Sequence, residues 1–320
     1  MLERYPANPI ITPEMIPDIP PQIIDATSVF NSGAIKIDDN YILLLRVQNR
    51  GRQTFLLYAD SDDGIHFNIK PEIIQWQGLE KLHKQPYHIY DPRIHLINDR
   101  YFIMFAMDFD HGCELGLGVT DDFIEYKFLG IVSDGDYRNG VLFPHKIKGE
   151  YLRYDRPNRN NLNKTAATGS EIWLSRSPDL LHWQPVAPVI AGRSHYWDEM
   201  IGAGPPPIKT RQGWLQIYHG IAVHLASIYI YQTGVFLADL DNPAQIISRC
   251  TCNILEPRTL YELTGQVPNV CFPCGIIVEE YDAEGFALPH SEVKIYYGAA
   301  DTVLALATTT IQELIVASKN

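Results

Sequence analysis

Basic residues are scarce in this chain. Against 38 aspartates and glutamates stand only 26 lysines and arginines, a formal net charge of -12. Such a balance repels nucleic acid and anionic membranes at long range, and no basic tail or stripe offsets it, so a bound anion must be held by a local cluster of basic groups. The uninterrupted run of about 18 apolar residues that a membrane helix needs is also missing. The first residues, MLERYPANPIITPEMIPDIPP, carry Glu and Pro where a signal peptide would need a basic start and an apolar stretch. A soluble, unexported, cytoplasmic protein is expected. Five cysteines, an odd number in a chain of 320 residues, fit a reducing compartment better than a disulfide framework. Cys271-Phe272-Pro273-Cys274 has the spacing of half a zinc site, but Cys250-Thr251-Cys252 is the wrong second pair and no histidine nearby completes a tetrahedral set, so no metal is expected. Gly202-Ala203-Gly204-Pro205 lacks the Lys-Ser/Thr and helix of a phosphate loop, and no Ser/His/Asp motif appears.

Helical periodicity is scarce too. Short runs of β-branched and aromatic residues, bounded by Gly, Pro, Asn and Asp, recur from end to end, which marks an all-β chain. A two-strand pattern repeats five times: NYILLLRVQN (40 to 49), RYFIMFAMDFD (100 to 110), GEYLRYDRPN (149 to 158), GWLQIYHG (213 to 220) and EVKIYYGAAD (292 to 301) are each followed by a second strand. Five copies of a four-stranded unit around an axis make a five-bladed β-propeller, and a β-sandwich would not produce five spaced copies. The uneven intervals place insertions between blades, chiefly near 70 to 90 and in the polar, mobile-looking segment 158 to 170. No linker divides the chain, so residues 1 to 320 are read as one catalytic propeller with a Pro-rich arm at 6 to 21 that could reach a neighbouring subunit of a homo-oligomer. Pro205, Pro206 and Pro207 are expected to stiffen a rim or axis segment.

If these runs are the innermost strands, charged residues within them are costly unless they face the central channel. Arg46, Arg156, His219 and Asp301 fall at corresponding places, with Asp108 in the second copy. Together they describe a pocket for a polar, uncharged substrate plus an anion. Just upstream, Tyr90-Asp91-Pro92-Arg93 opens the second blade; Pro92 pushes Asp91 toward extended geometry, and Arg93 is positioned to pair with a neighbouring carboxylate.

A set of motifs spread over almost the whole chain resembles glycoside hydrolase family 130, the mannoside phosphorylases and their hydrolytic relatives. It comprises NPI near the start, VFNSGA (29 to 34), LLLRV (43 to 47), YDPRI (90 to 94), YRNGVLFPHKIKG (137 to 149), DRP (155 to 157), IGAGPPPIKTRQGWLQIYHG (201 to 220), LADLDNP (237 to 243), ILEP (254 to 257), VPNVCFPCG (267 to 275) and YYGAADT (296 to 302). The resemblance implies a five-bladed propeller with Asp91 as catalytic acid. It implies phosphate held by Arg138, Arg156 and His219, with Lys146 as a further candidate, and a mannosyl unit held by Asn31, Ser32, Arg46, Tyr90 and Asp301. The implied reaction is a single inverting displacement in which inorganic phosphate, a co-substrate rather than a cofactor, attacks a β-mannoside and releases α-mannose 1-phosphate. No other cofactor, nucleic acid or membrane partner is implied.

The family's hydrolases lack this basic cluster, so an inverting β-mannosidase on the same scaffold and a non-catalytic glycan-binding propeller are the competing readings. Glu114, where some relatives carry a basic residue, is expected to face away from phosphate or to meet an acceptor sugar. Cleavage of β-1,4-mannooligosaccharides or of a mannosyl-N-acetylglucosamine unit is favoured over β-1,2-mannosides.

Overall fold

The computed structural model describes residues 2–158, 170–224 and 228–320. Its strands form five antiparallel blades in chain order. Blade 1 is built from Ser28–Ile37, Asn40–Gln48, Thr54–Ser61 and Asn68–Ile73; blade 2 from His88–Ile97, Arg100–Phe109, Gly112–Thr120 and Tyr126–Ile131. Blade 3 is built from Tyr137–Leu142, Tyr151–Pro157, Glu171–Ser177 and Gln184–Ala191; blade 4 from Met200–Ala203, Gly213–His224, Ile228–Ala238 and Ile246–Arg249. Blade 5 takes Cys271–Val278, Glu292–Ala299 and Val303–Thr310 from one end of the chain and Glu3–Arg4, its outermost strand, from the other. This closes the ring, and the all-β, five-bladed expectation holds.

The placement of the innermost strands differs from expectation. The runs quoted above are the second strand of each blade, and the strand before each of them lines the axis, where the first strands of different blades pack on one another. Cys271–Val278 is buried along its whole length and Tyr137–Leu142 nearly so. Small residues make the convergence feasible: a Cβ on Gly33 would lie 2.7 Å from the Pro92 carbonyl oxygen, and one on Gly275 would lie 2.7 Å from that of Ser32. Strands rich in Gly, Pro and Asn read as loops in a sequence, which is why they escaped notice.

The turns after the third strands of blades 1, 2 and 3 repeat one device. Ser61 Oγ accepts from the Gly64 amide while Asp63 Oδ1 accepts from the amides of Ile65 and His66; Thr120 with Asp122 does the same, and at the third turn Ser177 Oγ accepts from the Asp179 amide while Asp179 Oδ1 accepts from those of Leu181 and His182. Side-chain oxygens thus satisfy amides that leave the sheet ladder. The expected insertion between blades 1 and 2 carries the edge strand Trp76–Gln77 and a 3-10 turn at Leu79–Lys81, whereas most of the polar segment at 158 to 170 lies outside the described residues.

The Pro-rich arm folds back on its own propeller instead of extending outward. Asn8 exchanges two side-chain hydrogen bonds with the Leu306 backbone at 2.8 and 2.9 Å, and Ile10, Ile11, Ile16 and Ile23 are buried against residues of blades 1 and 5. Their burial is what holds the arm, since each such side chain contributes roughly 1.5–3 kcal/mol. Among the described residues no helix is long and apolar enough to cross a membrane.

Candidate active site

In blades 1, 2 and 3 the first strand slips register at one place, between Phe30 and Gly33, Tyr90 and Arg93, and Arg138 and Val141. Each slip is a β-bulge led by a residue in the left-handed region: Asn31 at φ 49°, Asp91 at φ 52° and Asn139 at φ 55°. Bulges re-aim side chains, and non-glycine residues at positive φ cluster where function requires a strained backbone. Asp91 is therefore not in the extended geometry expected before Pro92. Glycine makes room for the re-aimed groups: a Cβ on Gly298 would sit 2.1 Å from Asn31 Oδ1, and one on Gly202 would sit 2.6 Å from Asn139 Oδ1 and 2.5 Å from His219 Cε1.

One side of the site is acidic. Asp91 is buried, and its Oδ1 accepts from Arg46 Nη1 at 2.7 Å and from Asn31 Nδ2 at 3.0 Å, so Oδ2 stands outside both bonds. The Arg46 guanidinium lies 4.2 Å from the Phe30 ring centre and 4.7 Å from that of Tyr90, which fixes its plane. Asp301 follows in the turn after Glu292–Ala299, also at positive φ (48°). Burial pushes its carboxyl up to about 6, with Arg46 pulling it down and the Asp91 charge pushing it further up.

The other side is basic. Arg138 and Arg156 are direct partners across the first two strands of blade 3, and Arg156 Nη1 lies 3.4 Å from Nε2 of His219 in blade 4. Burial lowers the His219 imidazole well below its usual value, with Arg156 and Arg93 adding to the effect. A neutral ring that accepts from Arg156 at Nε2 carries its proton on Nδ1. Burial and the neighbouring Arg138 lower Arg156 to about 10, which leaves it charged at neutral pH. No carboxylate among the described residues pairs with Arg156, and the nearest to Arg138 is Asp108, 3.9 Å away. In a protein of net charge -12 such a concentration of sparsely compensated positive charge is suited to holding an anion.

Asn31, Ser32, Arg46, Tyr90, Asp91, Arg138, Arg156, His219 and Asp301 are thus brought to one end of the axis. Buried atoms of several, including Ser32 Oγ, Arg138 Nε, Arg156 Nε and His219 Nδ1, and Oδ1 of the neighbouring Asn139, have no hydrogen-bond partner among the described residues. Buried polar groups are rarely left so, and a hydroxyl-rich ligand with an anion would satisfy them.

Lys146 is not part of this set. It is exposed in the turn joining the first two strands of blade 3, at the end of that hairpin away from Arg138 and Arg156, with its ammonium 4.4 Å from the Tyr151 ring centre. Arg93, expected to pair with a carboxylate, instead donates to three carbonyl oxygens: Gly204 at 2.7 Å, Asp91 at 3.1 Å and Ala203 at 3.4 Å. It ties blade 2 to the Pro205–Pro207 corner of blade 4. Glu114 pairs with His111 at 3.1 Å and lies on the opposite face of its strand from Cys113, which contacts Tyr90.

Sequence reasoning passed over Asn139, although Phe-Asn-Ser-Gly, Tyr-Asp-Pro-Arg and Arg-Asn-Gly-Val would have aligned it with Asn31 and Asp91. It also passed over Phe272 and Tyr231, whose rings lie 4.5 and 6.1 Å from His219 and carry no comparable signal.

The family model described as beta-1,4-mannooligosaccharide phosphorylase, that of glycoside hydrolase family 130, matches residues 1–320. A beta-1,4-mannooligosaccharide phosphorylase of Ruminococcus albus is 32% identical over 98% of this chain and 89% of its own length. A 1,2-beta-oligomannan phosphorylase of a Thermoanaerobacter species is 28% identical over 98% of both. The solved structure of a β-1,2-mannobiose phosphorylase from Listeria innocua, in complex with β-1,2-mannobiose, superposes with a TM-score of 0.85 at 25% identity and 99% coverage of both chains. With its five blades and this whole-length match, the chain belongs to glycoside hydrolase family 130.

Proposed function

We propose that this protein is an inverting β-mannoside phosphorylase, and that one observation carries the reading: Arg138, Arg156 and His219 form an anion site beside the Asp91 and Asp301 carboxyls. A glycosidase needs a water and a base there, not two arginines without an adequate counter-charge. The relatives named above are all phosphorylases, which supports the same conclusion.

In this mechanism phosphate is held by the two guanidinium groups and the neutral His219 on one face of the mannosyl ring, whose hydroxyls bind Asn31, Ser32, Arg46, Tyr90 and Asp301. A phosphate oxygen forms a bond to the anomeric carbon as the bond from that carbon to the leaving oxygen breaks. Asp91 delivers the proton that the leaving oxygen takes up, relayed through the mannosyl 3-hydroxyl. Arg46 and Asn31 both engage Oδ1, so the transferable proton belongs on Oδ2. The products are α-mannose 1-phosphate and a shortened acceptor. The arginines offset charge on the nucleophile throughout.

The bond cleaved is a β-1,4-mannosidic one, a preference supported by the family description and by the Ruminococcus albus relative. The enzyme acts in the cytoplasm, in keeping with five free cysteines, of which four are buried. Incubation with β-1,4-mannobiose with and without phosphate is the test: mannose 1-phosphate is expected only when phosphate is present. Free mannose released at the same rate without phosphate would overturn the proposal in favour of a hydrolase, and no turnover of any β-mannoside would leave a glycan-binding propeller.

A further inference from the structure

Asp108 sits where the two halves of the site meet. It lies near the end of Arg100–Phe109, the second strand of blade 2, with its side chain one-third exposed. Its Oδ1 accepts the Tyr90 phenol proton at 2.7 Å and faces Arg138 Nη2 at 3.9 Å. The other acid beside Arg138, Asp136, is committed elsewhere, accepting from the Cys113 amide at 3.3 Å and from Asn158 Nδ2 at 2.8 Å. Among the described residues Asp108 is therefore the carboxylate at ion-pair distance from the anion site.

A carboxylate in such a place is costly for anion binding. Two unit charges at about 6 Å repel by a few kcal/mol at an effective dielectric constant near 20, and by less where solvent enters. We propose that Asp108 is a positioning and charge-setting residue: it orients Arg138 through their ion pair and holds down the pocket's affinity for dianions. This inference rests on the phosphorylase reading. Phosphate and the sugar phosphate made from it carry similar charge, so a pocket with two uncompensated arginines would retain product as strongly as it recruits phosphate. Asp108 offsets part of that charge, and because its contact with Arg138 is long it can yield when a phosphate oxygen competes. The same carboxylate accepts from the Tyr90 hydroxyl, a contact that does not depend on its charge.

The experiment is steady-state phosphorolysis of β-1,4-mannobiose by the full chain, with phosphate varied. Asp108→Asn keeps an acceptor for Tyr90 and removes the charge. It is expected to lower the phosphate KM about fivefold and the inhibition constant of α-mannose 1-phosphate by a similar factor, while the mannoside KM stays within about twofold of wild type. Tyr90→Phe removes the hydrogen bond and keeps the charge, so its phosphate KM should match wild type whatever happens to mannoside binding. If Asp108→Asn does not fold, Asp108→Ser serves, with calorimetric titration of inorganic phosphate as a second readout. A phosphate KM that is unchanged or raised in the folded variant overturns the inference. A wild-type enzyme indifferent to phosphate would instead defeat the function on which the inference rests.

Discussion

Arg46 in the second strand of blade 1 donates to Asp91 in the first strand of blade 2 at 2.7 Å, so the carboxyl proposed as the acid is oriented by a different blade from the one that carries it. Two aromatic faces, Phe30 and Tyr90, hold the guanidinium in plane. Arg46→Lys keeps the charge but loses the planar contact with both rings, and is expected to lower kcat/KM for mannoside about 100-fold with little change in melting temperature. A lysine variant within threefold of wild type would show that Asp91 is oriented by something else.

Asp91→Asn preserves shape and the Oδ1 acceptor but removes the transferable proton. A fall in kcat of about 10²–10⁴-fold is expected, with mannoside binding retained in calorimetry. Full activity in this variant would exclude Asp91 as the acid.

Arg156→Ala should raise the phosphate KM by tenfold or more and leave the mannoside KM within about threefold, because its side-chain contact is with His219 and not with a sugar-binding residue. Equal effects on both constants would mean that the anion binds elsewhere.

Asp301 gives a pH signature. Its pKa is raised in the folded protein, to about 6 from an ordinary value of 3.8, so folding favours its neutral form. The associated stability is complete below the unfolded value and is lost as pH rises through about 6. Denaturant melts of wild type and Asp301→Asn at pH 4, 5, 6 and 7 are expected to show wild type losing stability relative to the variant across this window. A constant difference would show that folding does not disfavour the Asp301 charge.

Closure of the ring has its own test. Arg4 Nε donates to Glu262 Oε1 at 2.7 Å, and the fully buried Glu262 also accepts from the amides of Arg258 and Thr259 and from the Tyr297 hydroxyl. Arg4→Ala leaves that carboxylate buried with one charged partner fewer, and a loss of about 2–4 kcal/mol is expected in urea melts, with kcat unchanged at permissive temperature. Unaltered stability would assign closure to the arm's buried isoleucines instead.

The number of blades could be read from the spacing of Tyr-, Leu- and Ile-rich runs, because second and third strands obey ordinary β preferences. The first strands could not, since residues such as Gly33, Gly275 and Pro273 are chosen there for close approach at the axis and not for strand propensity. The same reason governs the site. That Asp91 and the basic trio come together was legible through the motifs that carry them, whereas Lys146 misled because nearness in sequence along a hairpin places it at the opposite end in space. The direction of Arg93 was illegible as well: nothing in Asp-Pro-Arg announces three carbonyl acceptors, two of them in another blade.

Asn31, Asp91 and Asn139 occupy one backbone corner that recurs in three successive blades. An amide and a carboxylic acid are nearly identical in shape, so the corner is a socket that accepts either, and the occupant of each seat can be exchanged without rebuilding the scaffold. Which blade presents the carboxyl to the axis is then a matter of seating. This ring offers a route to altered chemistry through two exchanges, an acid into the seat of Asn31 or Asn139 and an amide into that of Asp91.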